Sequence, residues 1–159
     1  MSSMVNRCVL FVPINNPRFV EKAWTRGADA IILDLEDSVP MSEKPKARSL
    51  VRETIARVAK GGASVFVRIN KEFAEVDLRA AIWPGISRVI LPKAESADDV
   101  RFVDNLLAEL EKERRIPVGT IEIYPLLESA LGVANSYAIA TSSPRIKAMA
   151  DAGGGYDTC

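Results

Sequence analysis

The stretch "LDLEDSV", residues 33–39, brings three carboxylates, Asp34, Glu36 and Asp37, into four positions directly after the apolar run "ADAII". Crowded acids repel one another, and burial disfavours their charged form. Such a cluster either runs out into solvent or faces something cationic. The other apolar runs also end on polar or charged residues: Asn15 and Asn16 after "CVLFVPI", Arg68 and Asn70 in "VFVRIN", Lys93 and Glu95 in "VILPKAE", Glu128 after "IYPLL", and Asp151 and Asp157 on either side of "GGG". Together these types suit two tasks. Carboxylate oxygens hold a hard divalent cation. A guanidinium fork clamps a carboxylate, and an ammonium adds a point charge.

Each residue alone also has a plainer reading. Arg68 and Lys93 suit a solvated surface, and Glu95 suits one better still. Glu128 fits as the first acid of a following helix, stabilised by the helix dipole. The "GGG" of residues 153–155 reads as a flexible turn, because the GxGxxG and Walker spacings of phosphate cradles are absent.

The chain has no histidine. That removes Ser-His-Asp and Cys-His nucleophile systems, HExxH zinc sites and any histidine base supplied by this chain. A metal here is held by oxygen, which favours Mg²⁺ or Mn²⁺ over Zn²⁺. Cys8 and Cys159 lie far apart with no CxxC spacing, so neither zinc nor a disulfide framework is indicated.

The elements that must position these groups alternate along the chain. Apolar strand-like runs fall at 8–13, 28–35, 64–70, 87–93, 119–128 and 145–152. Helical patterns fall between them. At 17–27, Phe19, Val20, Ala23 and Trp24 share a face. At 42–62, Ser42 is the expected N-cap and Leu50, Val51, Thr54, Ile55 and Val58 form the stripe. Further helices are expected at 77–83, at 96–115 with Ser96 as N-cap, and at 129–143. Six β units joined by helices predict a parallel sheet covered on both faces. A doubly wound open sheet and a (β/α)₈ barrel both fit, and in both the site lies at the carboxyl ends of the strands. The acids of "LDLED" are therefore expected to face Arg68, Lys93 and a bound cation.

With 159 residues, 48% of them hydrophobic and 26% charged, the chain reads as a single soluble globular domain. Twenty-one basic residues balance 21 acidic ones, which argues against a nucleic-acid or membrane-surface partner recruited by charge. No apolar run approaches the roughly 18 residues that span a bilayer, and the N-terminal apolar stretch is short for a signal peptide and interrupted by Pro13. A cytoplasmic location is expected.

The blocks "LFVPINNPRFVEKAWTRGADAIILDLEDSVP", "VFVRIN", "VILPKAES" and "LLESALGVANSYAIATSSPRI" resemble the citrate lyase β-subunit-like branch of the HpcH/HpaI aldolase family. The resemblance covers about residues 9–146. It implies a (β/α)₈ TIM-type barrel of which this chain carries about six βα units, a single partial barrel domain over 1–159. It also implies Mg²⁺-dependent cleavage or formation of a carbon–carbon bond through an enolate, on an acyl-CoA thioester such as citryl-CoA or malyl-CoA, or on a 2-hydroxy acid. By the same resemblance, Arg68 binds substrate carboxylate and supports the enolate, and Glu128 ligates the metal. Glu36 and Asp37 hold water or sit behind the ligands.

The resemblance departs from its pattern in two places. The second metal ligand falls near Gly155, so Asp157 is displaced by one or two residues, and Asp151 interrupts an apolar strand. The chain is also roughly half the length the family implies. Two alternatives therefore stand beside the lyase: a non-catalytic short form with a structural or partner-binding role, and a thioesterase using the same site. An open barrel leaves apolar strand edges, so the chain is expected to be a homo-oligomer that covers them, or else a marginally stable, aggregation-prone fragment.

Overall fold

Strands built from near-continuous β-branched runs pair in parallel when helices cover them, and this chain does so six times. The structure is a computed structural model and describes residues 6–151. Its sheet runs in chain order through β1 (Val9–Pro13), β2 (Ala30–Asp34), β3 (Ser64–Arg68), β4 (Ile86–Leu91), β5 (Glu122–Leu127) and β6 (Ala150–Asp151), with every neighbouring pair parallel. Strand order decides between the two expected architectures. A doubly wound sheet reverses its order at a switch point. Consecutive order without reversal is that of a barrel wall. The fold is a partial TIM-type barrel.

The helices are α1 (Pro17–Ala23), α2 (Lys44–Val58), α3 (Ala74–Ala81), α4 (Ala97–Glu113), α5 (Ala130–Ala134) and α6 (Ser136–Ala140). Their starts follow local chemistry. Asn16 caps α1 by accepting from the Arg18 N–H, and Pro17 occupies the first turn. Ser96 caps α4 in a reciprocal box with Asp99, as its sequence predicts.

Several boundaries differ from expectation. Ser42 is not an N-cap: Met41–Glu43 form a 3₁₀ turn, and α2 begins at Lys44 with Pro45 in its first turn. α3 begins three residues earlier than expected. The segment 129–143 is two short helices broken at Asn135. Phe19 and Trp24 stay exposed: α1 buries only Val20 and Ala23, and Trp24 lies beyond its last residue. The sixth strand shrinks to Ala150–Asp151, with an isolated bridge from Ile146 to Ile123. Its expected start is occupied by buried Arg145, whose guanidinium pairs with Glu111 and Asp104 on α4 and so ties the segment to that helix.

Alternation along each strand divides the sheet into two faces. Val12, Ile31, Leu33, Val65, Val67, Val89, Leu91, Ile123 and Leu127 join the helices in the main core. Each fully buried aliphatic side chain there contributes about 1.5–3 kcal/mol. The other face carries a thinner apolar layer of Ala30, Ile32, Phe66 and Ile90, flanked by Tyr124 and Leu126. Asp34 and Arg68 stand above this layer in matched register. Among the described residues no helix is long and apolar enough to cross a membrane.

Candidate functional site

The chain leaves β2 through Leu35 and Glu36 into a turn that Asp34 itself closes. Asp34 accepts from the Glu36 N–H at 2.9 Å and from the Ser38 N–H at 3.2 Å, and the Ser38 hydroxyl also donates to it. Short polar side chains stabilise turns in this way. The neighbouring strand places Arg68 directly opposite. Its Nε and Nη2 donate to the two Asp34 oxygens at 2.8 and 2.7 Å, a bidentate pair. Its Nη1 lies 3.0 Å from Glu36 Oε2 and 3.2 Å from Asp37 Oδ2. The guanidinium also lies over the Phe11 ring of β1, 4.9 Å from its centroid.

Lys93 approaches from the loop after β4. Its backbone is left-handed, with φ 51°. That conformation is unfavourable for a residue with a Cβ, and it lets one residue serve two acids. Nζ lies 3.1 Å from Glu36 Oε1, and the backbone N–H donates to Glu128 Oε2 at 2.9 Å. Glu128 follows β5 and is half-buried. Among the described residues no cationic side chain pairs with Glu128. Gly132 in α5 secures the same loop: a Cβ there would come within 2.5 Å of the Ala94 carbonyl oxygen, so only glycine lets α5 sit this close.

The three acids of the opening motif thus meet the cations expected for them, with different consequences. Burial pushes the Asp34 carboxyl up, but the Arg68 fork, Ser38 and the Glu36 N–H outweigh it and hold the group below its ordinary value. For Glu36 burial wins over Lys93 and Arg68, and its carboxyl is raised. The Arg68 contact with Glu36 Oε2 is an ion contact at an angle that makes no hydrogen bond, which leaves that oxygen without a donor. Asp37 is exposed.

The Arg68 fork, expected to be open to a substrate carboxylate, is filled by Asp34. Only its Nη1 edge faces the acids of the turn. The sequence reading included Asp34 in the motif but missed its role. The signal was there: "ILD" and "FVR" end adjacent strands at the same register. Lys93's double contact had no such signal, since nothing local marks its left-handed backbone. Glu95 is not merely solvated. It accepts from Ser129 Oγ at 2.8 Å, and Lys71 lies 3.5 Å from Glu95 and 3.0 Å from Asp99. Asp151 pairs in register with Leu127 at the end of β5 and is exposed. Asp157 and the glycine run lie outside the described residues.

Of the rim carboxylates, Glu128 is the one whose chemistry suits a magnesium ion. The rim cluster has four carboxylates, Asp34, Glu36, Asp37 and Glu128, against the two cations Arg68 and Lys93. Glu128 alone of the four lacks an ion pair among the described residues, and its orientation is fixed by the Lys93 N–H. Mg²⁺ commonly uses one or two protein carboxylates and keeps several waters. No group of three metal-ligating acids or thiols occurs among the described residues.

The family model for HpcH/HpaI aldolase/citrate lyase matches residues 7–154. The citrate lyase subunit beta of Leuconostoc mesenteroides subsp. cremoris is 40% identical over 157 residues, covering 97% of this chain and 52% of that protein. The L-malyl-CoA/beta-methylmalyl-CoA lyase of Cereibacter sphaeroides is 37% identical over 151 residues, covering 91% of this chain and 47% of the relative. Among solved structures, protein CitE of Mycobacterium tuberculosis in complex with magnesium, acetoacetate and coenzyme A aligns with a TM-score of 0.60 at 31% identity, over 89% of this chain and 46% of that one. The chain spans about half the length of the curated relatives it matches.

Proposed function

The chain belongs to the HpcH/HpaI aldolase/citrate lyase family, and on that premise we propose that it supplies the partial barrel of a Mg²⁺- or Mn²⁺-dependent carbon–carbon lyase. The substrate class is a CoA thioester of a hydroxy acid, of the malyl-CoA or citryl-CoA kind, and the reaction passes through a thioester enolate. The observation that carries this reading is Glu128: a rim carboxylate without a cationic partner among the described residues, oriented by the Lys93 N–H beside the Arg68 cluster.

In this reading Glu128 holds the metal, with Asp157 as the second candidate ligand. When bound, the metal supplies positive charge for the hydroxy-acid oxygens. Arg68 supplies positive charge to the substrate carboxylate or to the developing enolate oxygen, its Nη1 exchanging the exposed Asp37 for substrate, while Asp34 keeps the guanidinium from rotating. Glu36 takes the hydroxyl proton. Its raised carboxyl and its donor-free oxygen suit a proton carrier. As that proton leaves, the oxygen's electron pair forms the carbonyl of the released acid, the carbon–carbon bond breaks and its pair passes into the thioester enolate, which then takes the proton from Glu36 at carbon. Exposed Asp37 orders water at the mouth of the site. The chain is read as a single partial barrel domain that associates with copies of itself.

The test is cleavage of malyl-CoA and citryl-CoA by the 159-residue chain, with Mg²⁺ and with EDTA. Release of acetyl-CoA with glyoxylate or oxaloacetate, lost in EDTA, is the expected result. Free CoA released with intact malate or citrate would assign a thioesterase instead. Binding of either thioester without turnover would assign the non-catalytic role.

A further inference from the structure

Lys44 opens α2 and is buried, 7% exposed. Two local terms oppose it. A cation is unfavourable at the positive end of a helix dipole, and removing an ammonium from water is costly. No carboxylate is among its hydrogen-bond partners. Its Nζ donates instead to the carbonyl oxygens of Leu35 at 2.9 Å and Glu36 at 2.8 Å, and to Asn70 Oδ1 at 2.6 Å.

Asn70 is buried as well and completes a frame. Its Nδ2 donates to the Leu35 carbonyl at 2.8 Å and to Asp77 Oδ2 at 2.7 Å, and its backbone N–H donates to the same Asp77 oxygen at 2.7 Å. Asp77 is fully buried on α3, and its other oxygen accepts from Arg48 of α2. Lys44 of α2 therefore holds both carbonyls, Asn70 after β3 shares that of Leu35, and Asp77 of α3 holds Asn70 in place. Those carbonyls sit where β2 leaves the sheet and begins the acidic turn. A site serving packing alone would be filled better by an apolar side chain of similar volume.

We infer that Lys44 is a positioning residue: through the Leu35 and Glu36 carbonyls it fixes the turn that aims the Glu36 carboxylate between Arg68 and Lys93. The geometry stands without the proposed lyase activity. Only the kinetic arm of the test rests on that reading.

The test is a carboxyl-¹³C titration of glutamate-labelled protein, with Glu36 assigned by its loss in Glu36→Gln. Arg68, Lys93 and Asp37, the charged groups facing Glu36, are unchanged in the variants compared. Lys44→Met raises the Glu36 midpoint by about half a pH unit or more, and Lys44→Arg restores most of the wild-type value. An unchanged midpoint in Lys44→Met with only a lower melting temperature overturns the proposal. If Lys44→Met does not fold, Asn70→Ala, which releases one tether, shifts the midpoint in the same direction; no shift there overturns it too. In turnover, Lys44→Met lowers kcat with little change in KM, and Lys44→Arg recovers part of the loss. Absence of turnover in the wild-type chain would count against the lyase reading, while the titration would still decide the role of Lys44.

Discussion

Arg68 and Asp34 sit directly opposite one another on adjacent parallel strands, and the guanidinium grips both carboxylate oxygens. Both side chains are largely buried. Arg68→Lys keeps the charge and loses the fork, so it is expected to cost about 1–3 kcal/mol of stability. Asp34→Ala removes the partner and the turn's own cap, and is expected to cost about 3–5 kcal/mol. Urea denaturation followed by circular dichroism measures both. A wild-type midpoint for Arg68→Lys would show that the fork adds nothing to a simple charge pair.

The pairing was close to legible in the sequence, because two strands of similar length end on opposite charges. The six strands and their common rim were legible for the same reason: long β-branched runs bounded by breakers leave little choice of element. What hid from the sequence was decided at a distance. Lys44 reads as an ordinary exposed helix lysine, and only the docking of α2 against the ends of β2 and β3 buries it. Phe19 and Trp24 fit a helical stripe, yet α1 buries only Val20 and Ala23 of it, and its end at Ala23, which leaves Trp24 outside, is a boundary the apolar spacing does not reveal. The apolar segment 145–152 looks like a strand, but the demand of Arg145 for Glu111 and Asp104 prevails over local β propensity.

Glu128→Gln is expected to abolish Mg²⁺ binding while leaving the fold intact. The amide oxygen of glutamine can still accept from the Lys93 N–H, so stability should stay within about 0.5 kcal/mol of wild type. Isothermal calorimetry with Mg²⁺ reads the first effect and thermal melting the second. Retention of wild-type Mg²⁺ affinity would remove Glu128 from the metal site.

Lys93 combines an unfavourable backbone with a half-exposed side chain. The two contributions separate in a pair of variants. Lys93→Ala and Lys93→Gly both lose the ammonium near Glu36, but only glycine relieves the positive φ. Lys93→Gly is therefore expected to be more stable than Lys93→Ala by about 1 kcal/mol. Equal denaturation midpoints would mean that the backbone at 93 relaxes when the side chain is lost.

The carboxyls of Asp34 and Glu36 are shifted in opposite directions. The folded value of Asp34 lies below 3.8. Its stabilising contribution is present above that pH and is lost as pH falls through the folded value. Glu36 lies above its ordinary 4.5 in the folded state. The native state then holds the proton more tightly than the unfolded chain, so the contribution of Glu36 is greatest below pH 4.5 and falls as pH rises through its folded value. Glu36→Gln lacks that slope. The stability difference between variant and wild type should move in favour of the variant as pH rises through this window. Chemical denaturation at a series of pH values measures it, and a difference independent of pH would contradict the raised carboxyl.

The last prediction concerns the first strand. β1 pairs with β2 alone among the described residues, which leaves one row of its backbone donors and acceptors without a strand partner. Val9 and Phe11 alternate on the face away from the helices and are 39% and 47% exposed. The ring of Phe11 is covered only in part, by the Arg68 guanidinium. An apolar strand with an open edge is a template for another strand. The 159-residue chain is therefore expected to self-associate at about micromolar concentration, and sedimentation velocity should show a concentration-dependent shift. A charge on an edge strand opposes such pairing, so Val9→Lys should move the distribution toward monomer. Phe11→Lys should do so as well, and would also place a second cation beside Arg68. Val9→Lys is the cleaner probe, because it lies two residues further from the acidic rim. A monodisperse wild-type monomer would mean that this edge is already covered, and the expectation of a homo-oligomer would fall with it.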